Sequence, residues 1–234
     1  MKFNMMLFKL ISFLIFLLTL SLAPATVAET EASFDIIGDA YDRKKGNLLY
    51  TENHHCEAQS QQCTVEYRDE QGTTFAKKEI DYSASLQAPS VVLTDYRNDS
   101  TVEIATGDRS DLVVDAGFDN FVRSVWSQLE AGTEVKFPFL VVGFDDPIGM
   151  TALRTESDTC TDMELCLEVN LDSWFLRLLV APIELSYSLQ NKRLLRFSGT
   201  SNIKGDEGKS LNVDILYRYS NKLPLSDLDQ QSQN

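Results

Sequence analysis

One stretch limits the folds open to this chain. Residues 115–132, DAGFDNFVRSVWSQLEAG, read as a single amphipathic helix in a sequence that otherwise alternates like β-strand. Phe118, Phe121, Val122, Val125, Trp126 and Leu129 recur at helical spacing and make one broad apolar stripe. Asp115 fits as N-cap, and Gly132 can take the left-handed conformation that ends a helix. Asp119 precedes Arg123 by four residues, the favourable order for an ion pair. A stripe with two phenylalanines and a tryptophan must be covered, and the only cover this sequence offers is β-sheet.

The strands come at hairpin spacing. Residues 33–42, 47–56, 63–69 and 73–82 make a first meander, with alternation visible in Thr64-Val65-Glu66-Tyr67. A shorter series follows at 90–96, 101–106 and 111–115. After the helix, 133–142, 150–155, 164–170, 183–189, 194–200 and 211–219 resume the sheet. Pro138 points to an edge or a bulge, because it cannot donate to a ladder. Residues 174–180, WFLRLLV, fit a helical turn after Asp172-Ser173 and before Pro182, with a buried strand as the alternative. The expected fold class is therefore mainly β: a large curled antiparallel sheet of about a dozen strands, half-barrel or barrel, with the helix at 116–131 packed against it. The concave face is the economical place for that helix.

The first residues set the compartment. Lys2 and Lys9 precede an uncharged, mainly apolar run from Leu10 to Leu22, and small residues follow at Ala23, Ala25 and Ala28. That is the layout of a cleaved secretory signal peptide over 1–28, too short to span a bilayer comfortably. A single β-rich domain over 29–220 and a disordered polar tail over 221–234 are expected to follow. The chain carries 21 Lys and Arg against 35 Asp and Glu. Loss of the leader's two lysines leaves a net charge of about −16. Such a balance disfavours nucleic acid and anionic surfaces as partners. Export and an even cysteine count predict disulfides, with local pairs Cys56–Cys63 and Cys160–Cys166 clipping turns; zinc and CxxC patterns are absent.

Catalytic candidates are sparse. His54 and His55 are the only histidines, in Glu52-Asn53-His54-His55-Cys56. On a strand, Glu52, His54 and Cys56 share a face while His55 points to the other. Without a nucleophile elbow, a phosphate-binding glycine loop or an EF-hand spacing, no catalytic residue, metal or cofactor is assigned. The aromatic supply is richer, and Phe118, Phe121, Trp126 and Trp174 are the candidate residues for a hydrophobic ligand, with core packing as the competing role.

The segments VVDAGFDNFV (113–122), VKFPFLV (135–141), LLVAPIELSY (178–187) and LRFSGTSNI (195–203), with IIGDAYD (36–42), resemble a family of uncharacterised secreted proteins of Gram-negative bacteria. That resemblance implies export to the periplasm or beyond and implies no activity. The expected architecture is also similar to periplasmic lipoprotein carriers and related half-barrels, which hold an acyl chain between helix and sheet. The function expected is non-enzymatic: binding of a lipid or other hydrophobic ligand, or of an envelope protein, in a secreted or periplasmic protein without a membrane segment after cleavage. A hydrolase or metal-dependent enzyme using His54 or His55, and a purely structural interaction module, are the rivals.

Overall fold

The structure, a computed structural model, describes residues 33–105, 111–157, 159–178, 180–205 and 207–220. The expected signal segment and the expected polar tail lie outside the described residues. β1 (Ser33–Asp42), β2 (Leu48–Glu57), β3 (Gln62–Arg68), β4 (Thr74–Asp81), β5 (Ser90–Asp95) and β6 (Ser100–Ile104) form an antiparallel meander that runs outward from the centre of the sheet to one edge. β7 (Val113–Val114) begins at the opposite edge. From there β8 (Val135–Leu140), β9 (Ile148–Arg154), β10 (Glu164–Leu171), β11 (Ile183–Ser188), β12 (Leu194–Lys204) and β13 (Ser210–Tyr219) step back to the centre, where β13 pairs with β1.

This order forces curvature. Thirteen strands laid flat at ladder spacing would be about 60 Å wide. Only nine peptide steps join Ile104 at one edge to Val113 at the other, a reach of at most about 32 Å. The edges must therefore approach one another. Side-chain contacts between distant strands follow from the same curl: the Tyr50 hydroxyl of β2 lies 3.0 Å from Ser201 Oγ of β12, and Arg97 in the β5–β6 turn donates to the Lys204 carbonyl at 2.8 Å. The sheet nevertheless stays open, a half-barrel rather than a closed barrel.

Every ladder is antiparallel except β7 with β8, where Val113 and Val114 run parallel to Phe139 and Leu140. The expected strand over 111–115 is thus only two residues long, and its parallel pairing departs from the expected antiparallel sheet. Because β7 covers only the end of β8, Pro138 stands on an uncovered edge and leaves no ladder bond unmade. Trp174–Val180 contains a single 3-10 turn, Leu176–Leu178.

The helix departs from expectation at two points. It is a 3-10 turn, Asp115–Gly117, followed by two α-helical segments, Phe118–Ser124 and Trp126–Glu130, interrupted at Val125 with φ −106° and ψ 15°. Ser124 Oγ donates back to the Phe121 carbonyl at 2.7 Å, an arrangement that bends helices. Asp115 makes no side-chain cap; its carboxylate is taken by Lys78 and Asn202. The far end behaves as expected: Gly132 takes a φ of +77°, and Arg154 donates to the Glu130 carbonyl at 2.9 Å.

The start of the helix is bolted to the β4–β5 connection. Val114 N–H donates to the Gln87 carbonyl at 2.8 Å, Asn120 Nδ2 to the Leu86 carbonyl at 3.0 Å, and the Tyr82 hydroxyl to the Ala116 carbonyl at 3.3 Å. Gly117 permits this approach, since a Cβ there would lie 2.1 Å from the Gln87 oxygen. Both expected disulfides form. Cys56–Cys63 joins directly opposed residues of β2 and β3, whereas Cys160–Cys166 ties the loop before β10 to that strand. Two structural disulfides fit an oxidising compartment. No described helix is long and apolar enough to cross a membrane.

Candidate functional site

The core has two halves. One gathers Tyr50, Val65, Tyr67, Ile80, Val91, Val213 and Ile215 from the first meander and its partners. The other gathers Phe121, Val122, Trp126 and Leu129 of the helix against Phe137, Met150, Leu167, Leu185 and Tyr187. Phe197 packs against both. The division has a geometric cause: a helix about 10 Å across covers only a few strands of a sheet this wide. The concave face between the halves is left partly unfilled.

That unfilled space is a cavity of about 490 Å³. Phe118 of the helix faces it together with Phe137 and Phe139 of β8, Val141 just after that strand, Met150, Val169, Ile183 and Leu185 of the next strands, and Ile36 and Ile215 from the centre of the sheet. Exposed Gln61, Gln62 and Leu86 are also on its wall and mark an opening between the Cys56–Cys63 hairpin and the β4–β5 connection. Phe118 sits 5.5 Å from Phe137 and 5.8 Å from Phe139, centroid to centroid, so the helix and β8 form an aromatic wall.

The lysine and the arginine on this wall are paired within the wall. Lys78 Nζ donates to Asp115 Oδ2 at 2.6 Å, and Asn202 Nδ2 donates to Asp115 Oδ1 at 2.8 Å, with both members of the ion pair nearly buried. Arg123 pairs with Asp119 one helical turn away. Glu52 Oε2 accepts from the Tyr217 hydroxyl at 3.2 Å and lies 3.1 Å from His54 Nε2. Burial pushes the Tyr217 hydroxyl well above the usual phenol range, and the Glu52 carboxylate adds to the shift. Tyr50 and Tyr67 are raised for the same two reasons. These phenols stay neutral donors throughout the physiological range.

No protein-family model and no curated protein matches the chain. Nine chains of solved structures align with it, and three of them are as follows. An uncharacterised conserved protein from Thermus thermophilus aligns over 86% of this chain and 85% of its own, at 13% identity and a TM-score of 0.32. A DUF1329 family protein from Desulfovibrio piger aligns over 82% and 85%, at 11% identity and a TM-score of 0.30. A domain named for outer membrane lipoprotein sorting, from Vibrio parahaemolyticus, aligns over 86% and 89%, at 7% identity and a TM-score of 0.28. At such scores no function passes from those proteins to this chain.

The four aromatic residues singled out from the sequence do not come together. Phe118 is on the cavity wall. Phe121 stacks at 4.6 Å on Phe137 behind that wall, and Trp126 is 6% exposed, edge-on to Tyr187. Trp174 stands outside, 77% exposed, beside Phe175. The two histidines part as the strand alternation requires: His54 faces the cavity beside one carboxylate, Glu52, while His55 is exposed and 2.7 Å from Asp35. The cluster Cys160, Glu164 and Cys166 has metal-like proximity, but its two sulfurs are spent in the disulfide. Sequence reasoning passes over Lys78. Its signal is present: Lys78 alternates with Ala76 and Ile80 on the inward face of β4, where a charge needs a partner.

Proposed function

We propose that the protein is an exported binding protein that holds an uncharged apolar ligand, or the apolar tail of an amphiphile, in the cavity between helix and sheet. The observation that carries this reading is the 490 Å³ hollow walled by Phe118, Phe137, Phe139, Val141, Met150 and Leu185. Apolar surface left facing water is unfavourable by about 25 cal/mol per Å², so such a wall gains by being covered. A dry apolar cavity of about 150 Å³ already accepts a benzene-sized guest, and this one falls in the usual range for small-molecule sites.

The charge pairing sets the ligand class. Lys78 is matched by Asp115 and Arg123 by Asp119, and Glu52 is held by hydrogen bonds to Tyr217 and His54. An anionic headgroup drawn deep inside would have to take Lys78 or Arg123 from its partner, and any ion would lose its hydration in an apolar hollow, which favours an uncharged guest. The apolar run 10–22 with its following small residues, together with the two disulfides, supports a periplasmic or secreted location.

Native mass spectrometry of the protein isolated without detergent from the periplasm of a Gram-negative host tests the reading. A co-purifying neutral adduct of lipid-like mass, lost on substitution of Ile36 by Trp, is expected. Ligand-free protein that also takes up no added lipid would overturn it.

A further inference from the structure

Apolar exposure is concentrated at one end of the sheet. Among the described residues, seven large apolar side chains are more than half exposed, and five of them are Phe144, Trp174, Phe175, Leu178 and Val180. Phe144 lies in the β8–β9 loop and the other four in the β10–β11 loop. Both loops leave the same end of adjacent strands: Met150 opposes Leu171, and Asp172 N–H donates to the Gly149 carbonyl at 2.8 Å. Patches of this kind on a soluble protein mark contact sites.

We infer that this end of the sheet docks on the surface of a lipid bilayer. Three observations select a bilayer as the occupant. The first is chemistry: from Ser173 to Ile183 the only charged residue is Arg177, in a chain that is 24% charged. Its guanidinium is turned back to the Leu171 carbonyl at 2.6 Å and Thr151 Oγ1 at 3.0 Å, so the apolar residues are presented on a loop anchored to the sheet. Trp and Phe on such a platform suit the water–hydrocarbon boundary, where an indole keeps its N–H wet while its rings are buried.

The second is the absence of an open ladder. β9, β10 and β11 are paired on both sides, so this end offers side chains rather than a strand edge to a partner. The third is continuity. Val141, whose carbonyl accepts from Phe144 N–H at 3.1 Å, and Ile183, just beyond Val180, both line the cavity. A bilayer seated here lies at the base of the hollow. Ser33 and Ser220 sit at the opposite end, beside each other through the Ser220 N–H to Asp35 carbonyl bond at 3.0 Å, away from the patch.

Asp145 and Asp146 next to Phe144 make the rim acidic, while Asp172 before Trp174 is paired with Lys136 at 2.7 Å. The docked surface is therefore a zwitterionic bilayer in preference to an anionic one. This inference goes beyond the cavity reading and can fail separately from it.

Flotation of the Glu31–Asn234 unit with phosphatidylcholine vesicles tests it. The protein should float with the vesicles, and Trp174 emission should shift to the blue while buried Trp126 contributes no shift. The triple variant Trp174→Ser, Phe175→Ser, Leu178→Ser should lower partitioning by roughly tenfold or more at unchanged thermal stability. Replacing phosphatidylcholine by phosphatidylglycerol should weaken binding at low salt. The inference is overturned if the protein stays in the lipid-free fraction, if the triple variant floats as well as the parent, or if anionic vesicles bind more tightly. It is equally overturned if the patch proves to join two copies of the chain, seen as self-association without lipid that the triple variant abolishes. An Ile36→Trp variant that still floats but holds no ligand separates the two claims.

Discussion

The buried ion pair between Lys78 and Asp115 holds the start of the helix over the cavity, and its removal tests that role quantitatively. Each side chain is 8% exposed, and their contact at 2.6 Å bridges β4 to the 3-10 turn, with Asn202 of β12 as the third member. Lys78→Met keeps the side-chain length and leaves the Asp115 carboxylate without its cation. Breaking a buried pair in this way costs about 3–5 kcal/mol. Asn202 still donates to Asp115 Oδ1, which places the expected loss at the lower end, about 3 kcal/mol. Asp115→Asn removes the charge but keeps a residue that tolerates the local φ of +37°, so about 2 kcal/mol is expected. The double variant should lose less than the two together, with a coupling of about 1–3 kcal/mol. Urea unfolding at constant m-value measures all four corners of the cycle. A loss below about 1 kcal/mol for Lys78→Met, or additivity within about 0.5 kcal/mol, would refute the argument that this contact anchors the helix.

Three further outcomes follow from the packing. Trp126→Ala should cost about 3–5 kcal/mol in chemical denaturation while leaving ligand affinity nearly unchanged, because the ring is buried against Tyr187 behind the cavity; a loss confined to ligand binding would show it to be a wall residue instead. Gly117→Ala should destabilise by about 1–3 kcal/mol, since the new Cβ meets the Gln87 carbonyl, and amide exchange should quicken at Val114; unchanged stability would contradict that close approach. Burial raises the phenols of Tyr50, Tyr67, Tyr82, Tyr187, Tyr217 and Tyr219, whereas an unfolded tyrosine ionises near pH 10. Their contribution to stability is therefore complete below about pH 10 and is lost as pH rises further. Absorbance titration should show these six ionising only as the fold opens, and their ionisation at pH 10 in folded protein would count against the burial described.

Much of the architecture is legible in the sequence because local rules agree with the tertiary outcome. Strand β1 matches its expected bounds, and the Cys56–Cys63 clip and the common face of Glu52, His54 and Cys56 follow from strand alternation alone. The departures have tertiary causes. Asp115 suits a cap by type and position, yet Lys78 lies 37 residues earlier in sequence and Asn202 87 residues later. The parallel β7–β8 contact depends on where the chain arrives after crossing from the far edge, which no local pattern encodes. Phe118 and Phe121 belong to one apolar stripe, and only the width of the sheet beyond the helix separates a cavity wall from a packed core. Trp174 shows the opposite problem: an apolar run signals burial, and nothing local in WFLRLLV says that Trp174, Phe175, Leu178 and Val180 are exposed.

If the hollow between helix and sheet binds an apolar guest, titration of the Glu31–Asn234 unit with the neutral probe diphenylhexatriene will show it. The probe fluoresces only in apolar surroundings, so saturable enhancement at one site per chain is expected. Ile36→Trp and Val141→Trp, which fill the cavity from its two ends, should abolish the enhancement without lowering thermal stability, and the Trp174, Phe175 and Leu178 triple variant should retain it. No saturable enhancement, or enhancement that survives both fillings and disappears with the loop variant, would contradict the account and move the apolar site to the outer surface.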